Sequence, residues 1–287
     1  MGLLALLLLL LAAFVHATWN LLAKRAGGGV ALTWLFEALA ALLYLPVAAA
    51  SAMLHKPRVG GAEAGFVLGS AVLHLGYFLA LQRAYRTGDL SVVYPLARGT
   101  GPFLATLAAI ALFGERPTPL ALTGALLIVG SLLGLVGGEL PRRRTSVDRS
   151  ALGYGVLTGA FIAGYTLWDK HAVSTLGIPP ILLDWGSHLG RCLLLTPLIR
   201  TRWPEVIRHW RVHRVEVLGL AVLVPLSYLL VLTALRFSPV SAIAPAREVS
   251  ILVGAWLGTR VLAEQEAWRR LLVACGMTTG VILLVVG

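Results

Sequence analysis

The sequence is short of what a water-soluble protein needs on its surface. Only 13% of its 287 residues are charged, and just 13 of them are Asp or Glu. Hydrophobic residues make up 58% of the chain and mean hydropathy is +0.84, which leaves too little polar surface for a soluble domain of this size. Cysteine is nearly absent. Cys192 and Cys275 both fall in apolar runs and read as small packing residues, not as a disulfide or a metal pair. No CxxC or HExxH spacing occurs, so no metal site is expected. No glycine-rich stretch ends in Lys-Ser/Thr, which removes the case for ATP as an energy source. The few acidic residues are dispersed, which argues against a polytopic enzyme acting on lipid; no enzymatic activity is expected. The first apolar run, LLALLLLLLAAFVHA, lacks a basic region before it, and Lys24 and Arg25 follow it instead. It reads as a membrane helix rather than a secretory signal.

What the chain does have is apolar runs of membrane length, where about twenty residues are needed to cross the hydrocarbon. Ten candidates occur, at roughly 3–22, 30–53, 64–85, 91–113, 118–138, 151–172, 178–200, 215–236, 240–262 and 267–287. The expected fold is therefore an all-α membrane protein of ten transmembrane helices. The net charge of +11 is not a nucleic-acid signature, because its distribution alternates from loop to loop. Loops after odd-numbered spans, with the span ends beside them, hold 16 of the 24 Lys and Arg, those after even-numbered spans hold 5, and Arg98, Arg191 and Arg247 lie deeper within spans. Basic residues are retained on the cytoplasmic side. This count places both termini outside a bacterial inner or plasma membrane. The basic loops also suit anionic headgroups.

The stretch GGELPRRRTSVDRS marks a linker, with five spans on either side. The expected organisation is residues 1–138 as a first five-helix unit, 139–150 as a cytoplasmic linker and 151–287 as a second unit. Ala84, Arg86, Ser91 and Pro95 reappear as Ala234, Arg236, Ser241 and Pro245 at an offset of 150. Arg98 and Glu115 reappear as Arg247 and Glu264 at 149, so the Arg-to-Glu spacing is 17 in both halves. An odd number of spans per unit makes the second enter from the opposite face. Such inverted repeats around a central cavity are an arrangement of secondary transporters working by alternating access.

Charged groups in a span are costly and mark candidate sites. Arg98 lies about 10 Å into the fourth span at the helical rise. With Arg247 in the oppositely threaded ninth span, the pair is expected near the two ends of a central path, guiding a charged substrate or forming a gate. Glu248 is a titratable group for an amine or a proton. His16, Trp19 and Asn20 share one helix face at i, i+3, i+4, as do His74, Tyr77 and Phe78, and Tyr165, Trp168 and Asp169. The first two sets, with Tyr165, Trp168, Ser227 and Tyr228, are expected to line the cavity. Tyr94 opens the YPLARGTGP motif and is counted with them. Asp169, Lys170 and His171 are expected as solvated charge at a helix end. Pro95, Gly99, Gly101, Pro102 and Pro245 are expected to make helix irregularities at a gate or hinge. Asp184, His188 and Arg191 read as a self-neutralising structural set on one helix, and Glu37 has no partner visible in the sequence. Gly65–Gly69, Gly130–Gly134, Gly155–Gly159, Gly254–Gly258 and Gly276–Gly280 have the spacing of close helix contacts.

Four stretches carry a family resemblance: HATWNLLAKRA, SVVYPLARGTGPFLATLAAIALFGE, GALLIVGSLLGLVGG and SAIAPAREVSILVGAWLGTRVLAE. The chain resembles the drug/metabolite transporter superfamily, specifically its ten-helix EamA family, along essentially its whole length. The resemblance implies a central cavity lined by spans 1, 3, 4, 6, 8 and 9 and braced by spans 5 and 10. Several members of the superfamily have cytoplasmic termini; the charge count here is followed instead. The implied function is secondary transport of small metabolites, with export of amino acids or related zwitterions and amines in first place. Import or exchange of choline-like or phosphorylated compounds is the alternative on the same fold. No cofactor is expected, and Glu248 and His74 are the candidates if protons are coupled. The expected partners are a small-molecule substrate and the lipid bilayer, with no nucleic acid, in a monomer or homodimer.

Overall fold

A backbone in hydrocarbon has to satisfy its own hydrogen bonds, and a continuous apolar run does so as a helix. In the computed structural model, which describes residues 1–57, 60–87, 90–139, 149–251, 253 and 267–287, all regular structure is helical. Side chains of 85–87, 90–95, 132–139, 149, 151, 267–271 and 274 fall outside the description. The helices are α1 (Leu3–Arg25), α2 (Val30–His55), α3 (Gly61–Thr87), α4 (Leu90–Phe113), α5 (Pro119–Glu139), α6 (Arg149–Ser174), α7 (Pro180–Ile199), α8 (Trp203–Val212), α9 (Arg214–Phe237), α10 (Val240–Ala246) and α11 (Ala267–Val286). Reversals between helices use backbone that side chains resist. Gly27, Gly28 and Gly29 all have positive φ, at 81°, 65° and 98°, and fold α2 back from α1.

Among the described residues, five helices are long and apolar enough to cross a membrane: α1, α2, α3 over Gly61–Ala84, α4 over Leu96–Phe113, and α9. Helices α6 and α7 stand where spans were expected but carry Asp169 and Lys170, and Asp184 and Arg191, respectively. Leu3, Leu7, Leu10 and Phe14 of α1 and Leu42, Val47, Met53 and Leu54 of α2 are exposed, which gives these helices an apolar outer face. The inner face is rich in alanine, including Ala5, Ala12, Ala105, Ala109 and Ala125, so helix backbones approach closely. Helix α1 packs on α9 and α6 on α3; α2 packs on α7 and α5 on α11; α4 packs on α6 and α10.

Two elements depart from the expected spans. The ninth does not run unbroken from 240: α10 stops at Ala246, and Arg247 and Glu248 form a turn before helical residues resume at 249. Hydrogen bonds through this turn reach back three residues, from Glu248 N to Pro245 O at 3.0 Å and from Ile251 N to Glu248 O at 2.9 Å. Pro245, with no N–H to offer Ser241 and a ring that crowds the preceding turn, weakens the short helix just ahead of this turn. The second half of this span, with Glu264 and the Gly254–Gly258 pair, lies outside the described residues, as does most of the expected linker. The other departure is α8, an unforeseen helix in the basic segment after α7. It exposes Trp203, Ile207 and Trp210, at i, i+4 and i+7, beside Arg202, Arg208 and Arg211, the make-up of a helix lying in a membrane interface.

The glycine spacings sort by what stands opposite. A Cβ at Gly280 would lie 2.7 Å from the Gly124 carbonyl, and one at Gly124 would lie 2.6 Å from the Gly280 carbonyl, so α5 and α11 meet backbone to backbone. A Cβ at Gly130 or Gly65 meets nothing. Gly280→Leu is therefore expected to destabilise the protein by at least about 1–3 kcal/mol through overpacking, while Gly130→Leu stays near neutral. Thermal unfolding of both variants in detergent checks the contrast.

Candidate functional site

Between the helices lies a cavity of about 350 Å³, within the size range of sites for small metabolites. Helices α1, α2, α3, α7 and α9 supply most of its wall; α4 supplies Arg98, α6 supplies Tyr165, and the turn after α10 supplies Arg247 and Ser250. Spans 2 and 7 were not expected in the lining. None of the described side chains of α5 and α11 lines it.

One wall is aromatic and basic. His74 stacks on Tyr165 with ring centroids 4.1 Å apart and meets the edge of Tyr228 at 5.0 Å. The Arg247 guanidinium lies over both tyrosines, 5.9 Å from the Tyr165 centroid and 5.6 Å from that of Tyr228, within cation–π range. Tyr228 is fixed from behind, its hydroxyl donating to Asp169 Oδ2 at 2.6 Å. On α1, Trp19 Nε1 donates to Ser227 Oγ of α9 at 3.2 Å, and His16 sits edge-on to the Trp19 ring at 4.6 Å. Asn20 uses its amide on the His16 carbonyl.

The two arginines near the break have different surroundings. Arg98 is buried with its Nε 2.9 Å from Glu248 Oε2, and its Nη2 donates to Ser250 Oγ at 3.1 Å. Its charge is met. Among the described residues the Arg247 side chain forms no ion pair and no hydrogen bond; its guanidinium faces the cavity against the two tyrosine rings. The two guanidiniums line one cavity, and both act on His16, so the expected separation to opposite ends of a path is not what the fold produces. The adjacent pair Arg247 and Glu248 divide, one towards the cavity and the other towards α4.

A second polar wall joins α2 to α7. Glu37 accepts from Arg191 Nε at 2.9 Å through Oε1, and its Oε2 is 2.5 Å from His188 Nδ1. Arg191 Nη1 donates to Ser187 Oγ at 2.8 Å, and Asp184 Oδ1 is 3.6 Å from His188 Nε2. The partner that Glu37 lacked in the sequence is thus the α7 set, and all four groups line the cavity. The only signal for this in the sequence was that an intramembrane carboxylate has to face protein or water.

His16, Trp19, Asn20, His74, Tyr77, Phe78, Arg98, Tyr165, Ser227, Tyr228 and Arg247 come together on the cavity wall. Trp168 does not: its ring stacks on Phe66 at 4.3 Å, its Nε1 donates to the Phe66 carbonyl, and it is 36% exposed on the outside. Glu248 stands behind Arg98 rather than in the lining. Asp169 is fully buried instead of solvated, and Lys170 donates to the carbonyls of Leu235 and Ser238 at 2.7 and 3.0 Å. His171 stacks on Phe66. The side chains of Tyr94 and Pro95 lie outside the described residues. Gly99, Gly101 and Pro102 sit in an unbroken α4, where a Cβ at Gly101 would strike Ile162 of α6 at 2.7 Å; Pro245 lies inside α10, and the observed break is the turn at Arg247 and Glu248.

Residues 3–137 match the EamA-like transporter family. A solved structure titled only as the crystal structure of a protein superposes with a TM-score of 0.78 over 97% of this chain and 95% of its own, at 16% identity, which is a likeness of fold.

Removing one partner from a buried pair strands the other charge. Arg98→Gln is expected to cost about 3–5 kcal/mol, and the double variant Arg98→Gln, Glu248→Gln should recover most of that loss. A double-mutant cycle on thermal unfolding in detergent measures it; additive losses would exclude the pair.

Proposed function

We infer, from the match of residues 3–137 to the EamA-like transporter family, that the chain is a multi-pass membrane transporter of small molecules and that its cargo is a small zwitterion such as an amino acid, moved outwards. The observation that carries this reading is the Arg247 guanidinium, which faces the cavity over two tyrosine rings and forms no ion pair among the described residues. A carboxylate in the cavity supplies an opposite charge and displaces the water that otherwise has to solvate the guanidinium. Trp19, Tyr77, Phe78 and Tyr228 offer apolar and π surface to the rest of the cargo. A choline-like cation has no group to meet at Arg247 and is repelled by it. A phosphorylated metabolite satisfies the same guanidinium and is the second reading.

Alternating access is the mechanism proposed for the movement, driven by a coupled gradient and not by ATP. Two features support it. The helix break at Arg247 and Glu248 puts turn backbone beside the cavity, as in the discontinuous helices of secondary transporters. The packing partners also exchange between the two proposed five-helix units: the first helix of each packs on the third crossing helix of the other, as α1 on α9 and α6 on α3. The proposed setting is a bacterial inner or plasma membrane with both termini outside.

Reconstituted vesicles loaded separately with labelled L-amino acids and with labelled phosphorylated metabolites test the cargo. Exchange of at least one amino acid is expected. Arg247→Gln should weaken its binding about thirtyfold or more, since stranding or removing a buried charge partner costs about 2–5 kcal/mol; Arg247→Lys should retain part of the affinity. Exchange confined to phosphorylated compounds selects the second reading, and exchange of neither class rejects both.

A further inference from the structure

We propose that the Glu37–Asp184–His188–Arg191 cluster is a proton-binding site on the cavity wall and that proton movement through it drives transport. The proposal rests on the transport reading above but concerns different residues. Its starting point is charge. The four groups are 4%, 2%, 2% and 9% exposed, so water does little to screen them. Two carboxylates, one guanidinium and a neutral imidazole sum to one negative charge; one additional proton brings the cluster to neutrality. A buried net charge is expensive, and a guanidinium cannot titrate to relieve it. The compensating proton therefore has to sit among His188 and the two acids.

The geometry agrees with the count. The one N–H of the neutral His188 ring, placed on Nδ1, fills the 2.5 Å contact with Glu37 Oε2, so the additional proton falls to an acid. On the other side of the ring, Asp184 Oδ1 is 3.6 Å from Nε2, while Asp184 Oδ2 is buried without a hydrogen-bond partner. Asp184 is the member of the cluster with spare acceptor capacity, and it faces the cavity. The surrounding titratable groups are Tyr44 of α2, His74 of α3, Asp169 of α6, Cys192 of α7 itself and Tyr228 of α9. None brings a permanent positive charge that would replace the proton.

Contacts also run from this cluster to the proposed cargo site. Arg191 donates to Ser187, Ser187 Oγ is 3.3 Å from Ser70 Oγ, and Ser70 O is 2.9 Å from His74 Nδ1. His74 packs against the two tyrosines that flank Arg247. A change in charge at α7 thus reaches the cargo wall through touching groups, the physical requirement for coupling two sites.

The test separates the proton from the cargo. In purified wild-type protein, infrared difference spectra between acid and alkaline pH should show a titrating carboxyl or imidazole band that Asp184→Asn removes, because that variant is neutral without the extra proton. In vesicles with a mixture of labelled L-amino acids, Asp184→Asn should lose accumulation driven by a pH gradient by a far larger factor than it loses exchange at zero pH gradient. Unchanged pH-driven accumulation, or an unchanged titrating band, overturns the proposal. Absence of amino-acid exchange in the wild type sinks the cargo reading instead, and the infrared result still judges the proton site. Should Asp184→Asn fail to fold, Asp184→Ser removes the same charge and carries the same two expectations.

Discussion

A guanidinium taken out of water has to meet an opposite charge, and in this bundle Arg98 meets Glu248 across the contact of α4 with the turn after α10. Glu248 meets Arg98 where the helix gives way to the turn at Arg247 and Glu248. In an unbroken helix the adjacent residues 247 and 248 would differ by about 100° in direction; here the turn gives Glu248 to the scaffold and Arg247 to the cavity. The corner leading into this segment is clamped as well. Glu115, at the foot of α4, accepts the N–H groups of Val240 and Ser241 at 2.7 and 2.9 Å, and so satisfies donors that a helix start leaves orphaned. Lys170 caps the carbonyls at the end of α9. Glu115 just past α4 and Lys170 of α6 thus both hold the corner where α9 turns into α10.

The cavity is polarised by this arrangement. Its aromatic wall carries an unneutralised cation, and its α2–α7 wall carries an excess of carboxylate. The two are kept apart by His74 and the tyrosines, which are large, polarisable and uncharged at the contact. Direct pairing of Arg247 with an acid of the cluster would collapse the space between them. Separation of the charges keeps the hollow open, and on the transport reading it leaves complementary surfaces for the two ends of a zwitterion.

Much of the architecture was legible in the sequence because apolar run length is a local property. The i, i+3, i+4 stripes of α1 and α3 also pointed the right way, since His16, Trp19 and Asn20, and His74, Tyr77 and Phe78, all face the hollow. The same spacing failed on α6. Tyr165 and Asp169 turn inwards, yet Trp168, about 60° to the other side of Tyr165 by helical geometry, turns out over Phe66. Periodicity defines a face but not how much of it a neighbour covers. The Glu37 partnership was hidden for another reason: its mates lie over 150 residues away, at separations of 151 and 154, and a single helix cannot announce them. Helix α8 was overlooked because its apolar residues are diluted by arginine, so that run length alone reads it as a loop.

Close contact is distributed unevenly, and that bears on what can move. Helices α5 and α11 meet through Gly124 and Gly280, with carbonyls where side chains would be, and they stay away from the cavity. Gly159 of α6 lies against Thr100 and Gly101 of α4 in the same manner. Interfaces of this kind are fixed by shape, and sliding them would open voids or clashes at once. The α2–α7 interface is different: polar side chains bridge it, and these lose and regain partners by rotation about their own bonds. On the transport reading, the glycine interfaces are the frame and the bridged ones are where access alternates. Protonation of a carboxylate in the α2–α7 bridge weakens its hold on Arg191 and His188 without disturbing either glycine contact, so the charge state of that wall can alter one interface while the frame stays intact.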